Sequence, residues 1–251
     1  MSKTKDTRDS KTKFVMHPLE HGTFPIVSIG KPQTGKSYLL NHIIQLWYRM
    51  GKNACGIYEE MHLVLPTFHY EQTDSYAYLR EWVKNNKNVH IYETYSPSIV
   101  ERILKRQKDF INKEKKKNPN STEKPKPILL IIDDATKQRK SLFQSDLICE
   151  LVTECRHINI TFWALMHTIK GRVLDATTRE NIKFVFIYHI SPASLRKAYE
   201  EYIEDPDFKR YKDFEQYWYR EVYDLDHPCY LQDTLYHEYC DNVNAWFPPK
   251  K

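Results

Sequence analysis

Glycine is scarce in this chain: six occur in 251 residues, where an average protein carries about 7%. Long apolar runs are missing as well. No stretch reaches the eighteen residues that a membrane-crossing helix needs. Met1 to Lys13 is polar and charged, without the apolar centre of a secretory signal. The five cysteines, Cys55, Cys149, Cys155, Cys229 and Cys240, form no C-x-x-C pair, so they read as reduced thiols. His227, Cys229, His237 and Cys240 match no common zinc spacing, and their aromatic surroundings read as packing rather than a metal site. These absences point to a soluble, intracellular protein with no membrane partner. A length of 251 residues suits one α/β core with short decorations.

The scarcity of glycine makes its placement informative. Two of the six stand in Gly30-Lys31-Pro32-Gln33-Thr34-Gly35-Lys36-Ser37, the G-x-x-x-x-G-K-[ST] phosphate loop. In such a loop glycines let the backbone wrap the β-phosphate without a Cβ in the way. Lys36 neutralises the β and γ oxygens, and Ser37 offers a hydroxyl to Mg²⁺. The flanks fit. Phe24 to Ile29 is a short apolar run suited to a buried parallel strand. After the loop, Leu39, Leu40, Ile43, Ile44, Trp47 and Met50 recur at helical spacing, and Gly51 stands where a C-cap glycine belongs.

A second motif supplies the metal carboxylate. Ile128-Leu129-Leu130-Ile131-Ile132-Asp133-Asp134 is a run of branched aliphatics ending in two acids, the Walker B pattern. A strand buried on both faces would carry those acids at its C-terminal edge, where open α/β sheets bind ligands. Asp133 is the expected Mg²⁺-shell carboxylate, and Asp134 the expected group that polarises the attacking water. Together the motifs predict an α/β phosphate-loop NTPase, a three-layer sandwich around a mainly parallel sheet, binding ATP with Mg²⁺.

Other elements follow from periodicity and punctuation. Cys55 to Tyr58 reads as a short strand, followed by Leu63-Val64-Leu65, both as edge candidates. Asp74 or Ser75 opens a helix bearing Tyr76, Leu79 and Val83 and ended by Asn85-Asn86. Val89 to Tyr92, Ile160 to Met166 and Phe184 to Tyr188 are strands, and Leu142 to Val152 marks a helix. Ser98 with Glu101 suggests a capping box opening a long helix, which frays into Lys115-Lys116-Lys117 and a polar loop. Residues 1–20 form a charged arm, 21–205 the ATPase core with a basic insert near 105–127, and 206–251 an acidic, aromatic extension. Charge is uneven: Glu101 to Pro127 holds ten Lys or Arg against four acids, and residues 200–251 hold thirteen acids against six bases. The basic segment is a candidate for sequence-independent contact with nucleic-acid phosphates.

The stretch after Walker B, Glu154-Cys155-Arg156-His157-Ile158-Asn159 running into the strand Ile160 to Met166 and then His167-Thr168, resembles the genome-packaging ATPases of large DNA viruses and virophages, within the HerA and FtsK motor group. The resemblance spans about residues 24–190 and includes the double aspartate. It implies a RecA/FtsK-like fold and an ATP-driven pump that threads double-stranded DNA into a preformed capsid as a homo-oligomeric ring. Capsid or portal components would be its partners, and the virion or host-cell cytoplasm its location. It also implies an arginine supplied by a neighbouring subunit, with Arg156, Arg172 and Arg179 as candidates. Where that family places a γ-phosphate-sensing Gln, this chain has Met166-His167-Thr168, so His167 is the expected substitute. A phosphate-loop kinase and a non-hydrolysing nucleotide-gated assembly protein remain alternatives. A GTPase is disfavoured by the lack of an N-K-x-D motif.

Overall fold

A computed structural model describes residues 23–66, 68, 76–133, 146–167, 169, 176–203, 207–224, 229–234 and 238–240. The expected arm 1–20, the residues Asp74, Ser75, Leu142, Thr168 and Arg172, the second aspartate Asp134, and the histidines His227 and His237 lie outside them.

The strands are β1 (Pro25–Ile29), β2 (Glu60–Val64), β3 (Val89–Tyr92), β4 (Ile128–Asp133), β5 (Ile160–Met166), β6 (Phe184–Tyr188), β7 (Cys229–Asp233) and β8 (Glu238–Cys240). They form one eight-stranded sheet in the order β3-β2-β4-β5-β1-β6-β7-β8. The first six run parallel, while β7 joins β6 and β8 joins β7 antiparallel. The helices are α1 (Lys36–Met50), α2 (Ala77–Asn85), α3 (Pro97–Lys117), α4 (Asp146–Glu154), α5 (Ala176–Asn181), α6 (Pro192–Tyr202) and α7 (Tyr211–Tyr217), the last continuing into a π-helical segment Trp218–Val222.

Alternation along the central strands divides the core into two layers. Ile26, Leu129, Ile131, Trp163, Leu165 and Phe186 pack with Leu39, Ile43 and Trp47 of α1 and Leu79 of α2. Val27, Leu130, Ile132, Phe162, Ala164 and Val185 pack on the opposite face with α3, α4, α6 and α7, through Val100, Leu151, Leu195 and Phe214 among others. Helices on both faces of a mainly parallel sheet make the expected three-layer sandwich. Trp163 stacks on Phe186 and meets Trp47 edge-on at 5.8 Å, so α1 is fixed over the middle of the sheet.

Several local expectations need correction. Strand β2 is an interior strand between β3 and β4, not an edge, and Cys55 to Tyr58 makes isolated bridges at a tight turn instead of a strand. The α3 cap is Ser96, with no side-chain capping bond, and Pro97 takes the first helical turn; Ser98 meets Ser96 hydroxyl to hydroxyl at 2.8 Å. The three lysines 115–117 belong to the last turn of α3 rather than to a frayed loop, where cations complement the helix dipole. Gly51 ends α1 in extended backbone, not in the left-handed conformation; a Cβ there would lie 1.8 Å from the Gly56 carbonyl carbon, so close approach explains it.

A polar knot ties β2, β3 and α3. Glu60 accepts from Arg106 at 2.5 Å and lies 3.0 Å from both His62 and His90. His62 Nδ1 meets the Tyr92 hydroxyl at 2.9 Å, and that hydroxyl accepts from Arg102. Next to Arg106 on α3, the Gln107 amide donates to the carbonyls of Lys126 and Ile158. These bonds hold the far half of α3 at the edge where β4 and β5 begin, so Lys115, Lys116 and Lys117 project from the sheet edge opposite the β1 tip.

Candidate nucleotide site

The phosphate loop is pinned between the tips of two neighbouring strands. Gly30 N donates to Met166 O of β5, and Lys31 N donates to His189 O just past β6, each at 3.0 Å. Its two glycines serve different ends. A Cβ on Gly30 would lie 2.6 Å from Tyr188 Cβ and 2.7 Å from Thr34 Oγ1, so the first glycine is demanded by the protein's own packing. Gly35 has φ +90°, which a side chain rarely tolerates. Gln33 is also left-handed, at φ 61°, which adds backbone strain at the loop's crest.

Gly35 is the N-cap of α1 and offers no side chain to the first turn, which also carries no acidic residue. The amides there are left for an anion, and the helix dipole favours negative charge. Lys36 curls back into the loop, donating from Nζ to Gly30 O at 2.7 Å and Lys31 O at 2.8 Å. Its ammonium is thereby held inside the loop. Pro32 and Gln33 form the exposed crest, while Thr34 Oγ1 donates to Lys31 O at 2.8 Å.

The Walker B strand meets this loop across one intervening strand. β4 pairs with β5, and β5 with β1, so the tips of β4 and β1 flank the tip of β5. Asp133, at the end of β4, accepts from Ser37 Oγ at 3.3 Å. The two residues expected to serve Mg²⁺ are thus brought together from 96 residues apart. A hydroxyl beside a carboxylate is the hard oxygen pair that Mg²⁺ takes, so the residues present fit the ion. His167, one residue past β5, has Nδ1 3.3 Å from Lys36 Nζ and 3.4 Å from Gly30 O. That nitrogen accepts from the ammonium in one tautomer and donates to the carbonyl in the other.

The same carboxylate has a partner that sequence reasoning missed. Tyr76 donates its hydroxyl to Asp133 Oδ2 at 2.5 Å, fully buried. The phenol comes from the start of α2, which follows β2, and nothing local in the sequence marks it.

The arginines stand elsewhere. Arg179 on α5 pairs with Glu201 of α6, lining a cavity of about 320 Å³ with Ile182, Tyr202 and Thr234. Arg156 is exposed in the turn before β5, beside the basic loop, where Lys124 Nζ reaches its carbonyl at 3.5 Å. That turn is at the opposite sheet edge from the phosphate loop. Neither of these two arginines stands at the phosphate loop. Asn159, part of the same segment, adopts φ 58° and donates to Pro125 O at 2.7 Å, a structural task at that far edge. Of the four residues considered for zinc, Cys229 is buried at the start of β7.

The sequence pattern of the poxvirus A32 protein family matches residues 11–202. An uncharacterized protein of Acanthamoeba polyphaga mimivirus is 25% identical over 178 residues, covering 70% of this chain and 56% of that protein. The chain therefore spans a little over half the length of that relative. Among solved structures, the genome packaging NTPase B204 from Sulfolobus turreted icosahedral virus 2, in complex with ATP-gammaS, superposes with a TM-score of 0.54 at 15% identity, covering 87% of this chain and 96% of that one. The pCW3 conjugation coupling protein TcpA with ATPgS gives 0.52 at 14% identity, over 86% and 58% of the two chains. At these identities the structural likeness establishes the fold, a three-layer α/β sandwich around a mainly parallel sheet.

Proposed function

The chain belongs to the poxvirus A32 protein family, and from that premise, together with the geometry of its nucleotide site, we propose that it is a viral genome-packaging ATPase, hydrolysing ATP to drive double-stranded DNA into a capsid. The observation that carries this reading is the closure of two distant motifs onto one spot: Lys36 held inside the loop, and Ser37 against Asp133 at 3.3 Å. The packaging assignment for B204 supports the same direction.

In this reading the loop amides and Lys36 hold the triphosphate, and Ser37 with Asp133 holds Mg²⁺. The bound ion supplies neutralisation of charge developing on the β and γ oxygens. Asp134, next in the chain after Asp133, orients the attacking water. His167 replaces the usual Gln, its imidazole serving the terminal phosphate or that water. A subunit that pumps works in a ring, so an arginine comes from a neighbour; Arg179, Arg172 and Arg156 are the candidates. Arg179 would have to leave Glu201 to serve. The DNA grip falls to the exposed lysines 115–117 with Lys124 and Arg156, which share the edge opposite the nucleotide. Capsid or portal components would complete the machine at the viral assembly site. Among the described residues no helix is long and apolar enough to cross a membrane.

The test is ATP hydrolysis by the wild type, Lys36→Ala and Asp133→Ala, each with and without double-stranded DNA. The proposal expects DNA-stimulated turnover that either substitution abolishes. Turnover surviving both would discard the site, and turnover indifferent to DNA would favour a kinase or an unrelated ATPase.

A further inference from the structure

The phosphate loop has two unlike sides. Toward β5 stand Asp133 and His167, the groups suited to a metal ion and a terminal phosphate. Toward β6 stands His189, whose carbonyl accepts from Lys31 N. For a triphosphate with its γ end at Asp133, the side of the loop away from that end is the β6 side, where His189 stands. An aromatic cluster is already there. The His189 ring meets Tyr223 edge-on, with centroids 4.6 Å apart, and Tyr223 lies 5.2 Å from Tyr219.

These tyrosines do not behave as the rest of their segment does. Trp218 and Val222, each one position earlier, are at most 1% exposed, whereas Tyr219 and Tyr223 are 39% and 38% exposed. The segment is π-helical and closes with Tyr223 N on Trp218 O at 2.8 Å. Such single π turns recur at functional sites. Four residues apart, the two rings lie on one side, while the indole of Trp218 stays in the core. Exposed, adjacent aromatic faces beside a polyphosphate site offer what a nucleobase needs: stacking surface, with hydroxyls at the rim.

We propose that Tyr223, with Tyr219 and His189, forms the platform on which the base of the bound nucleoside triphosphate stacks. This rests on the reading of the Gly30–Ser37 loop as a nucleotide site. The C-terminal acidic segment then has a task in the site, because it carries the base while the loop carries the phosphates.

Equilibrium titration of the full chain with ATP and with inorganic tripolyphosphate, both with Mg²⁺, separates the two readings. Wild type should bind ATP more tightly than tripolyphosphate. Tyr223→Ala should weaken ATP about tenfold, the scale of one lost base stack, and leave tripolyphosphate unchanged; Tyr223→Phe should retain ATP affinity. Lys36→Ala should weaken both ligands. If the wild type binds neither ligand, the nucleotide-site reading fails and the platform with it. If Lys36→Ala weakens both but Tyr223→Ala weakens neither, or both equally, the loop reading stands and the platform is wrong, leaving the tyrosines as a surface for another chain. Exposed rings are safe to truncate, and an unchanged thermal midpoint for Tyr223→Ala checks that it folds.

Discussion

Replacing Tyr76 with Phe removes a single oxygen from the most consequential hydrogen bond on the metal side of the site. Tyr76 is 0% and Asp133 6% exposed, and the phenol donates to Oδ2 at 2.5 Å. That length is in the range of hydroxyl-to-carboxylate bonds, which are about twice as strong as neutral ones. The ring remains in Phe, so little cavity is left; the cost is an almost buried carboxylate short of a donor. Hydrogen bonds to charged groups contribute about 1.5–3 kcal/mol, which for a chain of this size lowers the thermal midpoint by about 3–6 °C. The assay is thermal or urea unfolding in nucleotide-free, Mg²⁺-free buffer. Tyr58→Phe is the control, since Tyr58 donates to Thr161 Oγ1 at 2.9 Å between two buried neutral groups, a bond worth about 1 kcal/mol. A cycle with Asp133→Ala should give a Tyr76–Asp133 coupling above about 1 kcal/mol. A Tyr76→Phe variant no weaker than Tyr58→Phe, with coupling inside error, would refute the reasoning.

Two further outcomes follow from charged groups away from the nucleotide. Burial holds the His62 imidazole down at about 4, against an ordinary 6.5. The unfolded chain therefore binds a proton that the native state refuses between pH 6.5 and 4, and stability falls as the pH drops through that window, by up to about 3 kcal/mol from this group. Burial pushes the neighbouring Glu60 carboxyl up, but the Arg106 hydrogen bond and the nearby cations outweigh it and hold it below its usual 4.5, so its contribution is lost at lower pH still. His62→Gln should flatten urea-derived stability between pH 6.5 and 4; an unchanged slope counts against the buried-histidine account. At the far edge, changing Lys115, Lys116 and Lys117 to Glu should weaken DNA-stimulated hydrolysis. If all three meet phosphates, the log–log salt slope of DNA binding should shrink by about 2.7, and an unchanged slope would remove these lysines from the DNA grip.

How much of this was legible in the residues depends on where each signal lies. Strands β3, β5 and β6 coincide with their predicted runs to the residue, and β4 ends on Asp133 as read; in β4, β5 and β6 this is because strands buried on both faces are written as nearly unbroken aliphatic or aromatic stretches. The meeting of Ser37 and Asp133 was legible because each belongs to a motif whose chemistry needs the other. Tyr76 was not, since its role arises from a contact 57 residues along the chain and α2 gives it an ordinary core periodicity. Strand β7 was hidden by its own composition: Gln232 and Asp233 are 0% exposed. A bond within the strand offsets part of that burial, with Tyr230 donating to Gln232 Oε1 at 2.8 Å. Helix α6 did carry a local signal that went unread, a Ser191-Pro192 start in which the serine accepts from Ser194 N. Gly51 shows the converse, a correct helix end inferred for a conformational reason where the cause is steric.

The central claim is that the Gly30–Ser37 loop and Asp133 close around one Mg²⁺-bound triphosphate. Equilibrium binding of a non-hydrolysable ATP analogue to the wild type, Lys36→Ala and Asp133→Ala, with Mg²⁺ and with a chelator, tests it most directly. The account predicts tight, Mg²⁺-dependent binding by the wild type, loss of binding in Lys36→Ala, and in Asp133→Ala residual binding that no longer responds to Mg²⁺. Undiminished, Mg²⁺-responsive binding by both variants would contradict it.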